Sequence, residues 1–183
     1  MADDALVDPP RSGSPLVDPP LIRPALTRDV LAIARLVDAY SGPGQLLAKS
    51  LVTLYEDVPE FIVADHGGEV IGCGALHVMW EDLAEVRSLA VRPAAQSRGV
   101  GSTLLEALLA RARTLGVTRV FCLTFQTRFF GRHGFTEIDA APVTEAVYQQ
   151  MLQSFDDGVA EFLELERVKA NTLGNTRMLR HLT

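Results

Sequence analysis

Apolar positions along the chain fall into stretches with a period of two and stretches with a helical period, and glycines, prolines and short polar turns separate them. A short strand, "LIRPA", opens the patterned region near Ile22. The segment "TRDVLAIARLVDAY" carries Val30, Ile33, Ala34 and Val37 on one stripe and predicts a helix with Thr27 as its N-cap. "SGPG" at 41–44 breaks it, and "QLLAKSLVTLYED" predicts a second helix. "EFIVAD", the turn "HGGE" and "VIGCGALHVMW" then read as a hairpin. "LAEVRSLAVRP" is a fourth strand, stopped by Pro93. Residues 99–115 place Val100, Leu104, Leu105, Leu108, Leu109, Ala112 and Leu115 on a helical stripe that Gly116 ends. "TRVFCLTF" is a strand, followed by a short helix over 126–133, the turn and strand "HGFTEID", and a helix near 144–154. "AEFLELERV" predicts a last long strand, and "NTLGNTRML" a polar segment after it. The order is mixed α/β in one domain: a meander first, then strand, helix, strand.

The first 20 residues lack such a pattern. "LVDPP" occurs at 6–10 and again at 16–20 around "RSGSP", and this composition predicts a disordered leader. The chain of 183 residues carries a net charge of −6, so it offers no basic footprint for nucleic acid or an anionic membrane. No apolar run reaches the ~20 residues of a membrane-spanning helix, and the start "MADDALVDPP" is acidic where a signal peptide is basic. Cys73 and Cys122 sit in apolar strands and read as buried free thiols of a reducing, cytoplasmic compartment. The four histidines have no partners at metal spacing, so no metal site is expected.

The hexamer "QSRGVG" at 96–101 lies where the fourth strand gives way to the long helix. The first amides of a helix are unpaired within it and lie at the positive end of its dipole, so they form an anion site. Gly99 and Gly101 would let a diphosphate approach the main chain. The GxxxxGK[ST] phosphate loop is absent, and GxGxxG fails because Leu104 stands where its third glycine belongs.

Read as Q/R-x-x-G-x-G/A after "LAVRP", this hexamer resembles the acetyl-CoA signature of the GNAT superfamily of N-acetyltransferases, and "RHGF" at 132–135 resembles that superfamily's later helix-to-strand turn. The resemblance implies a single GNAT domain over 21–183. Its mixed sheet would be splayed between strands four and five, with helices on both faces. It also implies acetyl-CoA as co-substrate, with backbone contacts from Leu89, Ala90 and Val91 to the acetyl-pantetheine. Gln96, Ser97, Arg98, Gly99, Val100, Gly101 and Ser102 would contact the diphosphate. "GALHVMWEDLAEVRSLAV", "VFCLTFQTRFFGRHGFTEID" and "VKANTLGNTRML" are more narrowly similar to the short amino-acid N-acetyltransferases of arginine biosynthesis, which make N-acetylglutamate. That group carries a cation for the substrate carboxylate on its second helix.

Acetyl transfer to an amine needs a polarised thioester carbonyl and a proton acceptor. Strand alternation predicts Glu85, Arg87, Leu89 and Val91 on one face and Val86, Ser88 and Ala90 on the other. Glu85 is the candidate base, with a salt bridge to Arg87 as the competing reading. The tyrosine that many superfamily members use as acid is here Phe130, which leaves solvent to protonate the thiolate. An acidic protein must meet a dicarboxylate with specific cations. Lys49, Arg87 and Arg177 are the candidates, with Asn171, Asn175 and Thr176 as hydrogen-bonding partners. The expected acceptor is free L-glutamate or L-glutamine, and a homodimer is one of the assemblies open to the protein. Acetylation of a protein or another small amine, or a non-catalytic acyl-CoA-binding role, stays open.

Overall fold

The computed structural model describes residues 18–41, 46, 49–156, 159–160, 163 and 174–183. Residues 1–17 of the expected leader, 42–44 of the breaker, positions 45, 47 and 48, Asn171 and most of the strand expected at 160–168 lie outside them.

A seven-stranded sheet forms the centre, in the order β1-β2-β3-β4-β5-β7-β6. β1 (Leu21–Pro24), β2 (Phe61–His66), β3 (Glu69–Trp80) and β4 (Leu83–Val91) form the antiparallel meander that the alternation predicts, and β2 turns into β3 across Gly67–Gly68. β5 (Arg119–Thr124) lies parallel to β4, reached through the crossover helix α3 (Val100–Thr114). β6 (Thr136–Glu137) does not touch β5. The strand between them is β7 (Thr176–His181), hydrogen-bonded to both.

β7 corrects two expectations. The segment read as a polar tail is a strand whose Arg177, Met178 and Leu179 are buried. The strand expected over 160–168 is not seen where the chain is described, because Ala160 and Leu163 make helix-like amide bonds to Asp156 and Val159. Val159 and Leu163 follow a helical spacing and pack with Met151, Phe121 and Leu179.

The helices cover both faces. α3 buries Leu104, Leu105, Leu108 and Leu109 against Leu76, Val86 and Val120. Leu115, assigned to the same stripe, caps the helix and is exposed, because the turn at Gly116 rotates it off the core. β3 meets α3 flush: a Cβ on Gly74 would lie 3.0 Å from both Leu108 Cδ1 and Leu89 Cδ1. α1 (Val30–Ser41) covers the other face through Val30, Ile33 and Val37. Thr27 does not cap it. Residues 27–29 form a 3-10 turn, and the Asp29 carboxylate accepts from the Leu26 amide at 2.8 Å. α2 is short (Leu51–Glu56), capped by Ser50 Oγ, so Lys49 precedes the helix it was expected to ride on. α4 (Thr127–Arg132) and α5 (Glu145–Met151) follow β5 and β6. Cys73 and Cys122 are buried free thiols, and burial pushes Cys73 up to about 12.

Candidate active site

The β4–β5 pairing runs from Leu83↔Arg119 through Ala84↔Val120 to Glu85↔Phe121. Beyond Glu85 the strands part, since β5 is held on its other edge by β7 up to Thr124 while β4 follows β3 up to Val91. A cleft of about 640 Å³ fills the splay. Tyr40 and β4 residues from Val86 on line one side, Leu123, Thr124 and Phe125 the other, with the 96–102 loop and Phe129 near its mouth.

β4 is not a regular strand. Ser88 has φ +54°, and between Cys73↔Ala90 and Ala75↔Arg87 two β4 residues, Ser88 and Leu89, oppose Gly74 alone. This bulge reverses the alternation. Glu85, Arg87 and Ala90 therefore share the face of His77, Ala75 and Cys73, toward α1, whereas Leu89 and Val91 pack against the α3 side. The expectation that Leu89 and Val91 share a face with Glu85 is wrong for this reason. The bulge also turns the released edge of β4 toward the cleft, where main-chain amides can meet a ligand.

The loop 93–99 delivers the helix end to the same cleft. Ser97 (φ +59°) and Gly99 (φ +85°) take left-handed conformations, and Gly99 is the N-cap of α3. Gln96, Ser97, Gly99, Gly101 and Ser102 line the cleft with Leu89, Ala90 and Val91. Arg98 is exposed, and the Val100 side chain is in the core, so Val100 has only its backbone to offer a ligand. Two of these side chains are committed to the protein. Gln96 Nε2 donates to Tyr40 Oη at 2.5 Å, while the Tyr40 hydroxyl donates to the Val91 carbonyl at 2.5 Å. Burial raises the Tyr40 hydroxyl's pKa and keeps it a donor. Ser102 Oγ lies 3.1 Å from His133 Nε2. The glutamine of the hexamer thus ties the loop to α1 and β4. Phe130 lines the cleft as an apolar ring packed edge-on against Phe129 and Phe135 and has no proton to give.

Around Glu85 and Arg87 lies a cluster that sequence spacing did not reveal. Arg87 NH1 donates to both Asp156 oxygens at 3.0 Å, and NH2 donates to Glu60 Oε2 at 3.0 Å. Glu85 Oε2 and Asp57 Oδ2 are each 3.9 Å from the same guanidinium. His77, the cross-strand partner of Glu85, holds Glu60 Oε1 through Nδ1 at 2.7 Å, with Nε2 3.9 Å from Asp156 Oδ1. Lys49 is bound to Asp57 at 3.0 Å. Burial works against the charges of Arg87, Glu60 and Asp156. Even so, Glu85, Asp156 and Glu60 hold Arg87's pKa up, and His77 and Arg87 hold Glu60 and Asp156 below the usual carboxylate range. Only β4 supplied a signal in the sequence, since Glu60, His77 and Asp156 are far apart along the chain.

The C-terminal candidates separate. Arg177 pairs with Leu123, and the next inward residue, Leu179, pairs with Phe121, itself the neighbour of Glu85. Arg177 is thus on the Glu85 face, across the splay, and 5% exposed. Thr176 pairs with Thr124 and alternates to the other face, so it does not accompany Arg177 as expected. Asn175 is half-buried just before β7. Among the described residues, no group of three or more His, Cys, Asp or Glu could hold a metal ion, and no helix is long and apolar enough to cross a membrane.

The acetyltransferase (GNAT) family model matches residues 33–135, more than half of the chain. The chain belongs to the GNAT acetyltransferase family. As a member it is an acetyltransferase, and acetyl-CoA is the acyl donor of that family. The amino-acid acetyltransferase of Mycobacterium tuberculosis is 56% identical over 163 residues, covering 87% of this chain and 93% of that protein. A solved M. tuberculosis protein, in complex with CoA and a ligand designated NLQ, superimposes with a TM-score of 0.86 at 56% identity, covering 90% of this chain and 100% of that one. The N-acetylglutamate synthase of Neisseria gonorrhoeae, complexed with coenzyme A and N-acetyl-glutamate, superimposes with a TM-score of 0.72 at 27% identity. It covers 89% of this chain, which spans 35% of that longer synthase.

Proposed function

We propose that this GNAT acetyltransferase acetylates the α-amine of a free amino acid, L-glutamate or L-glutamine, by direct attack in a ternary complex, as the first step of arginine biosynthesis. The observation that carries the reading is one face of the splayed sheet: a buried carboxylate, Glu85, beside Arg87 on β4, with a second buried arginine, Arg177 on β7, on the same face across the splay. That set suits a substrate with one amine to deprotonate and carboxylate oxygens to hold. The likeness to an amino-acid acetyltransferase over most of both chains supports the same acceptor class.

Acetyl-CoA supplies an activated acyl carbon and a thiolate leaving group. The chain would cradle the diphosphate with the amides of 97–102 at the start of α3 and line the pantetheine with Leu89, Ala90 and Val91. Amides on the released edge of β4 at the bulge would polarise the thioester carbonyl. Glu85 would take the ammonium proton, directly or through water, while Arg87 and Arg177 fix the carboxylates. With Phe130 apolar, the thiolate would take its proton from solvent.

The test is free-thiol release from acetyl-CoA across the twenty amino acids, polyamines and short peptides. The proposal expects turnover with glutamate or glutamine well above the rest; turnover confined to peptides or polyamines overturns it.

A further inference from the structure

A carboxylate of the protein already occupies the fork that the proposed function assigns to substrate. Asp156 presents both oxygens to Arg87 NH1 at 3.0 Å, and its Oδ1 lies 3.9 Å from His77 Nε2. A guanidinium that binds carboxylate is what the α-carboxylate of an amino acid would engage, and Asp156 holds it. Arg87 is also overcompensated, because Glu60 Oε2 is 3.0 Å away and Glu85 Oε2 and Asp57 Oδ2 are each 3.9 Å away. Removing one carboxylate therefore leaves the buried guanidinium paired, and it relieves repulsion among like charges crowded on one partner.

Of these acids, Glu85 is fixed by the sheet, and Glu60 by the 3-10 turn leading into β2 and by His77. Asp156 follows α5 and has a local role as well: Oδ1 accepts from the Val159 amide at 2.9 Å, the bond of a helix N-cap.

We propose that Asp156 is an internal stand-in for the acceptor's carboxylate, seated on Arg87 in the unliganded enzyme and displaced when the amino acid binds. This inference rests on the acceptor reading above. The stand-in lowers apparent affinity for the acceptor by the fraction of molecules in which Arg87 is covered.

The charge and cap roles of Asp156 can be separated by substitution, because asparagine caps a helix as well as aspartate does. Steady-state kinetics on Asp156→Asn, Asp156→Ala and Asp156→Glu, with thermal unfolding of each, decides between them. The proposal expects Asp156→Asn to lower the amino-acid KM about three- to tenfold, with unchanged acetyl-CoA KM and a melting temperature slightly below wild type because the ion pair to Arg87 is lost, and Asp156→Glu to keep the KM at or above wild type. If Asp156 instead positions Arg87, Asp156→Asn raises the amino-acid KM, which overturns the proposal. If it is a cap alone, Asp156→Asn behaves as wild type while Asp156→Ala melts lower with no fall in KM, which also overturns it. Should Asp156→Ala fail to fold, the Asn and Glu variants still decide. A wild-type enzyme that acetylates no amino acid fails the acceptor reading itself, an outcome seen before any variant is made.

Discussion

Glu85 and Arg87 stand two residues apart on one strand, and their neighbours give them different work. Arg87 is surrounded by four carboxylates on three segments, Asp57 and Glu60 in one turn, Glu85 on β4 and Asp156 after α5, so its charge is held in place. Glu85 is 5% exposed, 3.9 Å from that cation, and at the last β4 pair before the sheet opens. Glu85→Gln keeps shape and removes the proton acceptor. Its expected effect is a fall in kcat of about 10²-fold, the scale of a lost general base, with acetyl-CoA affinity by calorimetry unchanged. A near-wild-type rate across the pH range would reduce Glu85 to an ion-pair partner. Sequence reading reached Glu85 and Arg87 because strand period two is a local property. It did not reach Glu60, His77 or Asp156, since their meeting depends on how three segments far apart in the chain close on β4.

Two glycines show what position within an element decides. A Cβ on Gly74 would meet Leu108 Cδ1 and Leu89 Cδ1 at 3.0 Å, where β3 and α3 touch. A Cβ on Gly101 would meet Phe129 and Val91 at an ordinary 3.7 Å and project into the cleft. Gly74→Val should overpack the core, at a cost of about 1–3 kcal/mol, seen as a lower melting temperature. Gly101→Val should melt close to wild type but bind acetyl-CoA more weakly; unchanged affinity by titration would reject the diphosphate cradle. Elements with strong periodicity, α1, α3 and the meander, were legible from the sequence. The β4 bulge was not, because nothing in "VRSLAV" marks Ser88 for a positive φ, and one inserted residue reverses every later side chain. β7 escaped notice for a different reason. Its partner β5 supplies the apolar context that makes "TRMLRH" a strand, β6 adds only main-chain pairing, and the segment alone reads as a polar tail.

Across the whole molecule, charge is organised as acids held ionised by arginines. The hydrogen bond from Arg23 lowers the Asp29 pKa; at Glu60 and Asp156, burial acts the other way but His77 and Arg87 outweigh it. A carboxylate lowered on folding stabilises the native state above its unfolded pKa and ceases to do so as pH falls through the folded value. The ordinary values are 4.5 for Glu60 and 3.8 for Asp29 and Asp156. Thermal stability should therefore be level between neutral pH and about 5, then drop steadily below about pH 4. A melting temperature that holds steady to pH 3 would contradict the ion-pair assignment.

The placement of β7 bears on how the molecule opens. A strand near the end of a chain ordinarily frays first, since one edge is bare and its loss disturbs little. β7 has a strand on each side, so it cannot detach without breaking its pairs with β5 and with β6 at once. Its release would also uncover Phe121 and Leu179. Amides of Met178 and Leu179 should then exchange with deuterium as slowly as those of β5, through global opening rather than local fluctuation. Arg177 would be kept in register by the same cooperative unit that keeps the sheet.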